Sequence, residues 1–158
     1  MNQGKNGNLS ILFVCTANIV RSFMAERIMR EKLRKARRKD IAVSSAGLLD
    51  LGGSPADPTA VRLLKEAGID GDDHRARALR REDLEAADII VVMEKIHKEL
   101  IMERYPEFAD KVFLLKPFMK GCREGEEDIG DPHGKSLYHY RLALAEISLA
   151  VEGLIKCI

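Results

Sequence analysis

Hydrophobic and polar positions along this chain follow two alternating rhythms. Ile11-Leu12-Phe13-Val14 is apolar without interruption, as expected of a strand buried on both faces of a parallel sheet. From Ser22 onward Met24, Ala25, Ile28, Met29 and Leu33 recur at helical spacing, with Glu26, Arg27, Arg30 and Glu31 on the other side, which predicts an amphipathic helix. Ile41-Ala42-Val43 predicts a second short strand, and Asp57-Pro58 opens a helix carrying Ala60, Val61, Leu63, Leu64 and Ala67, stopped by Gly68. The alternation then repeats: a strand over Asp88 to Val92, a helix over Glu94 to Glu103, a strand over Val112 to Leu115 and a long helix over Leu137 to Ile155. Four strands interleaved with helices predict a doubly wound α/β sheet. Lys116 to Asp131, with Pro117, three glycines and five acidic residues, is the longest expected loop, and long loops in compact domains are often functional.

Composition narrows the class. At 158 residues the chain fits one domain with a real core, residues 9–158, behind an expected flexible lead of residues 1–8. Lys+Arg 26 against Asp+Glu 25 leaves a net charge of +1, which argues against a general nucleic-acid or membrane-surface binder. The densest basic run, Arg30 to Lys39, falls late in a helical pattern and reads as a solvated face that suits a helix C-terminus. Cys15, Cys122 and Cys157 are odd in number and widely spaced, without a C-x-x-C pair, and the histidines form no ligand spacing with them. No metal and no other cofactor is expected, and the simplest compartment is a reducing one. The apolar stretch after Met1 to Asn8 is too short for a signal segment or a membrane span, so the expectation is a soluble cytoplasmic protein.

The chemistry concentrates between the first strand and the first helix, in Cys15-Thr16-Ala17-Asn18-Ile19-Val20-Arg21-Ser22. In an open α/β sheet ligands bind where strand carboxyl ends give way to helix N-termini. Backbone N–H groups there can form an anion-binding nest, and the helix dipole adds roughly half a positive charge. That field, helped by Arg21, favours a thiolate on Cys15, which is a nucleophile. Arg21 can offer two parallel N–H bonds to two oxygens of a phosphoryl group, which a lysine could not. Five intervening residues suffice to wrap the backbone around an anion and bring Arg21 back over it. Taken on spacing alone, Cys15 is equally well read as an inert buried cysteine at a strand end.

These residues resemble the phosphate-binding loop of the low-molecular-weight protein tyrosine phosphatases, whose pattern is C-x-G-N-x-C-R-S. Ser44 to Gly47, Pro55 to Pro58, Gly68 to Asp70, His74 to Arg77, Ala87-Asp88 with Met93, and Asp128 to Pro132 match further landmarks in the family's order, so the resemblance spans about residues 9–155. It implies four parallel strands flanked by helices on both faces, the phosphate-binding loop between the first strand and first helix, and hydrolysis of protein phosphotyrosine through a cysteinyl-phosphate intermediate. By the same resemblance Cys15 is the nucleophile and Arg21 the phosphate clamp. Residues Thr16 to Ser22 cradle the phosphate, and the Ser22 hydroxyl assists the thiolate. Asn18, Ser45 and His74 support the loop, and Asp131 is the general acid. Apart from the resemblance, Asp131-Pro132 is a turn signal. The implied partners are a phosphotyrosine protein, a tyrosine kinase among them, and phosphate or another oxyanion.

Three positions depart from the family pattern. Ala17 replaces glycine, Val20 replaces a second cysteine and Phe23 replaces proline. If position 17 needs a positive φ, alanine adds of order 1 kcal/mol of strain. Val20 cannot trap Cys15 as a disulfide, so over-oxidation should be easier. Phe23 either packs or lines the entrance. Arsenate reductases share the loop but need relay cysteines, and none lies between Cys15 and Cys122. Two alternatives remain. One is a protein-arginine phosphatase of the same family, which resembles Asp131-Pro132-His133-Gly134 but tends to carry threonine where this chain has Ile19. The other is a non-catalytic phosphoprotein or oxyanion-binding module.

Overall fold

The computed structural model describes residues 8–158; the flexible lead expected over 1–8 falls almost wholly outside the described residues. Four strands form one parallel sheet, β1 (Leu9–Cys15), β2 (Ile41–Gly47), β3 (Ile89–Val92) and β4 (Val112–Leu114), in the order β2-β1-β3-β4. Five α-helices accompany them: α1 (Arg21–Lys35), α2 (Pro58–Glu66), α3 (Arg81–Ala86), α4 (Lys95–Arg104) and α5 (Leu137–Lys156).

Because β1 is central, its side chains feed two cores. Ile11, Phe13 and Cys15 meet α1 and α5 on one face through Met24, Ile28, Met29, Ile147 and Val151. Leu12 and Val14 meet Leu84, Ile101 and Phe108 on the other. Helices therefore cover both faces, which is why β3 and the buried stretch of β1 from Ile11 to Val14 are apolar at every position.

The sequence pattern finds every strand and four of the five helices. It stops β2 at Val43, whereas the strand continues through Ser44-Ser45-Ala46-Gly47 because backbone pairing carries it to the register Cys15↔Gly47. α3 and the short 3-10 turns Pro106–Lys111 and Lys116–Phe118 are too short to show a helical period. The long loop is anchored rather than loose. Ile129 is fully buried and its N–H meets the Met93 carbonyl at 2.8 Å, while Asp128 accepts the N–H of Lys95 at the start of α4.

Candidate active site

At the carboxyl end of β1 the chain turns through residues 16–20 and enters α1 at Arg21. The Cys15 thiol is buried, with Ser22 Oγ at 3.0 Å and the Ser22 N–H directed at its sulfur at 3.4 Å. Asn18 Nδ2 donates to Ser22 Oγ at 2.8 Å, so the single Ser22 hydroxyl proton is left for Cys15 Sγ. The direction of donation thus runs from Asn18 through Ser22 to sulfur, the polarity that suits a thiolate acceptor.

Asn18 organises the loop from its centre. Fully buried, it lies in the left-handed region at φ 58°, where asparagine is tolerated better than most residues. Its second amide proton goes to Ser45 Oγ at 2.9 Å, and its Oδ1 accepts the Arg77 N–H at 3.1 Å. Its carbonyl accepts from His74 Nε2 at 2.7 Å. Ser45 passes its own proton to Glu26 Oε2 at 2.5 Å. Burial lowers the His74 pKa, which keeps the ring neutral and Nε2–H as a donor.

From outside, Leu48 and Leu49 donate to the Cys15 and Thr16 carbonyls at 3.0 and 2.8 Å, and Asp57 donates to that of Ile19 at 3.0 Å. Gly47 closes the mould: a Cβ there would lie 2.8 Å from the Ala17 carbonyl carbon and 2.9 Å from the Asn18 nitrogen. The strain expected at Ala17 does not arise, because the positive φ belongs to Asn18. Phe23 packs rather than lining an entrance; it is wholly buried with its ring 4.4 Å from that of His74.

Arg21 is 2 % exposed. Its Nη1 donates to Glu94 and to the Ile129 carbonyl, the latter at 2.8 Å, while Nη2 lies 3.4 Å from Thr16 Oγ1 and 3.6 Å from Asp131 Oδ2. One edge of the guanidinium is therefore fixed by the protein. Thr16 Oγ1 is 3.0 Å from His97 Nε2, whose other nitrogen, Nδ1, accepts the Glu94 N–H at the head of α4. That bond assigns the ring proton to Nε2, which donates to Thr16. Burial, and then the Arg21 charge, push the His97 pKa down to about 4, so this ring is neutral near pH 7.

Asp131 stands across the loop from Cys15, half exposed, and its Oδ1 accepts the His133 N–H at 3.0 Å. The turn suggested by Asp131-Pro132 and the placement over the anion site thus coexist. The next residue is tethered: His133 Nδ1 lies 2.9 Å from Asp57 Oδ2, which also accepts from Tyr140 Oη at 2.7 Å, while Asp57 Oδ1 caps α2 through Thr59 and Ala60. Burial alone would raise the Asp57 pKa; these donors more than offset it and hold it low. Burial and the bond to Asp57 push Tyr140 up to about 12.

Cys15, Ala17, Ile19, Val20, Arg21, Asp131 and His133 enclose a cavity of about 50 Å³, room for a few waters or one tetrahedral oxyanion. Cys15, Arg21, Ser22, Asn18, Ser45, His74 and Asp131 are all brought to one place, and no candidate site residue is left outside it. Sequence reasoning overlooked Glu26, Asp57, Glu94, His97, His133 and Tyr140. Among the described residues, no group of three His, Cys, Asp or Glu side chains could hold a metal ion.

Sheet and loop together define an α/β protein with a strand-end thiol set in an anion-binding nest beneath a buried arginine. The family can be stated as well: residues 10–158 match the sequence model described as "Low molecular weight phosphotyrosine protein phosphatase", and the chain belongs to that family. A protein-arginine-phosphatase of Geobacillus stearothermophilus is 38% identical over 144 residues, 91% of this chain and 92% of that one. A probable low molecular weight protein-tyrosine-phosphatase, EpsP, of Ralstonia nicotianae is 38% identical over the same shares. Among solved structures, a low molecular weight protein tyrosine phosphatase from T. tengcongensis aligns at TM-score 0.86 and 43% identity, covering 96% of this chain and 100% of that one.

Proposed function

We propose that this protein hydrolyses phosphotyrosine in proteins through a cysteinyl-phosphate intermediate. The observation that carries the reading is the convergence of the Cys15 thiol, the Arg21 guanidinium and the Asp131 carboxyl on one oxyanion-sized cavity at a helix N-terminus. The Cys15 thiolate attacks phosphorus and forms the S–P bond as the P–O bond to the tyrosyl oxygen breaks. Asp131 gives its proton to that oxygen, so tyrosine leaves neutral. Water then attacks the phosphocysteine, Asp131 takes a proton from it, and phosphate departs with the thiolate restored.

Throughout, the backbone N–H groups of residues 16–22 and the free edge of Arg21 hold the equatorial oxygens. Glu94, bonded to the other edge of Arg21, sets which N–H groups remain available. Ser22 stabilises the thiolate when phosphate leaves. Ile19, in the cavity wall, offers an apolar surface to an aryl ring.

Phosphoarginine is the second reading, supported by the Geobacillus stearothermophilus relative and by the Asp131-Pro132-His133-Gly134 stretch. Ile19 counts against it, since an aliphatic side chain cannot hydrogen-bond a guanidinium. A free thiol at the centre of the reaction suits a reducing compartment such as the cytoplasm, and the phosphotyrosine proteins it acts on include a tyrosine kinase.

The test is turnover of one peptide carrying phosphotyrosine and a matched one carrying phosphoarginine, by wild type and Cys15→Ala. Wild type should favour phosphotyrosine in kcat/KM, and Cys15→Ala should be inert on both. Turnover surviving in Cys15→Ala removes the covalent mechanism, and faster release from phosphoarginine selects the second substrate class.

A further inference from the structure

A second concavity shares no lining residue with the catalytic cavity. About 570 Å³ in volume, it is formed where α1 ends and β2 begins. Its floor is aliphatic, built from Leu33, Ile41 and Val43, and its rim is cationic. Arg30 to Asp40 carries seven cations and two acids in a chain whose net charge is +1.

Cations at a helix C-terminus favour the dipole, which accounts for Lys32, Arg34 and Lys35. It does not account for Arg37, Arg38 and Lys39, which follow the helix. Three of the rim arginines are held in place by the fold. Arg34 is paired through two nitrogens with Glu31, and Arg38 with Asp40. Arg30 bridges Glu26 Oε1 and the Val43 carbonyl, both at 2.9 Å. Arg37 and Lys39 have no ion-pair partner among the described residues. Arg37 moreover occupies the left-handed region at φ 55°, a helix-terminating position where glycine costs less.

We infer that this groove docks an acidic peptide segment of a partner protein, with an aliphatic side chain of that segment seated on Leu33, Ile41 and Val43. Charge complementarity selects the acidic character, and the aliphatic floor selects the side chain. No aromatic residue lines the groove, so it lacks the stacking platform of a single-stranded nucleic-acid site. Its apolar groups are recessed rather than projecting, unlike a membrane-inserting face. Arg30, the first groove residue on α1, lies nine residues past Arg21, about 14 Å along the helix, and the groove shares no lining residue with the catalytic cavity, so a docked segment leaves that cavity open.

The full chain is titrated into a fluorescein-labelled Glu-Leu-Glu-Glu-Leu-Glu peptide and followed by anisotropy, with an all-Glu peptide of the same length as comparison. Wild type should bind the leucine-containing peptide more tightly than the all-Glu peptide. The double variant Arg37→Gly, Lys39→Gln should bind it at least about tenfold more weakly, because both unpaired cations are gone. Glycine relieves the strain at position 37, so the thermal midpoint should not fall, and nitrophenyl phosphate turnover should be unchanged. Lys39→Gln alone leaves that backbone untouched and should weaken binding by a smaller factor in the same direction. Equal binding by the variants or equal binding of the two peptides overturns the inference. So does stronger retention of the protein by a DNA duplex or by phosphatidylserine vesicles than by the peptide.

Discussion

His97 couples acidity to the integrity of the catalytic loop, and the size of that coupling can be worked out in advance. Burial and the nearby Arg21 charge depress its pKa from 6.5 to about 4, and its side chain is only 2 % exposed, so solvent gives little screening. A depressed folded-state pKa means that the unfolded chain takes up the proton first. Stability from the neutral ring is therefore fully present above about pH 6.5, and is lost as pH falls toward the folded value. The loss attributable to this residue is about 2 kcal/mol at about pH 5 and about 3 kcal/mol by about pH 4. Urea denaturation at several pH values from about pH 7 down to about pH 4, on wild type and on His97→Gln, isolates the effect. Glutamine can still donate to Thr16 but does not titrate. The low pKa of Asp57 and the lowered pKa of His74 act in the same direction, but both residues are present in each protein and cancel in the difference. The variant should be the less stable at neutral pH and should show a flatter decline, with the two curves converging below about pH 5. Parallel curves would refute the reasoning, since they would mean that His97 accepts its proton as readily folded as unfolded.

The other expectations concern the loop itself. Arg21→Lys keeps the charge but loses the fork, and kcat/KM on an aryl phosphate should fall at least tenfold, about 1.4 kcal/mol. Asp131→Asn should slow a phosphotyrosine peptide much more than nitrophenyl phosphate, whose phenoxide needs little protonation; equal slowing would reduce Asp131 to its turn-forming role. Gly47→Ala drives a methyl group against the backbone of Ala17 and Asn18, and should cost about 1–3 kcal/mol in urea unfolding together with most of the activity. With valine at position 20, prolonged peroxide should carry Cys15 beyond the sulfenic stage, leaving little activity for dithiothreitol to recover and a sulfinate mass on the Cys15 peptide.

Much of this is legible in the sequence, for reasons that differ by residue. The Ile11 to Val14 stretch of β1 and all of β3 announce themselves because both faces of the sheet are covered there, which leaves no place for a polar side chain. Cys15, Arg21 and Ser22 are visible because a loop closing on one anion needs them within a single turn of chain. Glu26 stayed hidden on the charged side of the α1 pattern, although it is 6 % exposed and bonded to Ser45. Periodicity records burial against the sheet; it is blind to a carboxylate buried by hydrogen bonding. Glu94 and His97 lie 73 and 81 residues from their partners Arg21 and Thr16, and only the β1–β3 pairing brings them near. Asp57 was legible as a helix start. That it also receives Tyr140 and His133 depends on how α5 packs, which no local pattern states.

The shape of the catalytic loop is set by residues that are mostly not in it: Gly47, Leu48 and Leu49 behind it, Ser45 and His74 beneath it, Asp57 beside it. Among its own side chains only Asn18 is committed to that shape by its backbone angle. A cast of this kind separates inheritance of form from inheritance of content. The side chains at positions 17, 19 and 20 make none of the hydrogen bonds that hold this shape, so they can vary without the anion nest being rebuilt. Selectivity for what is attached to the phosphorus can therefore diverge among descendants one side chain at a time, while the capacity to hold the phosphorus passes on unchanged.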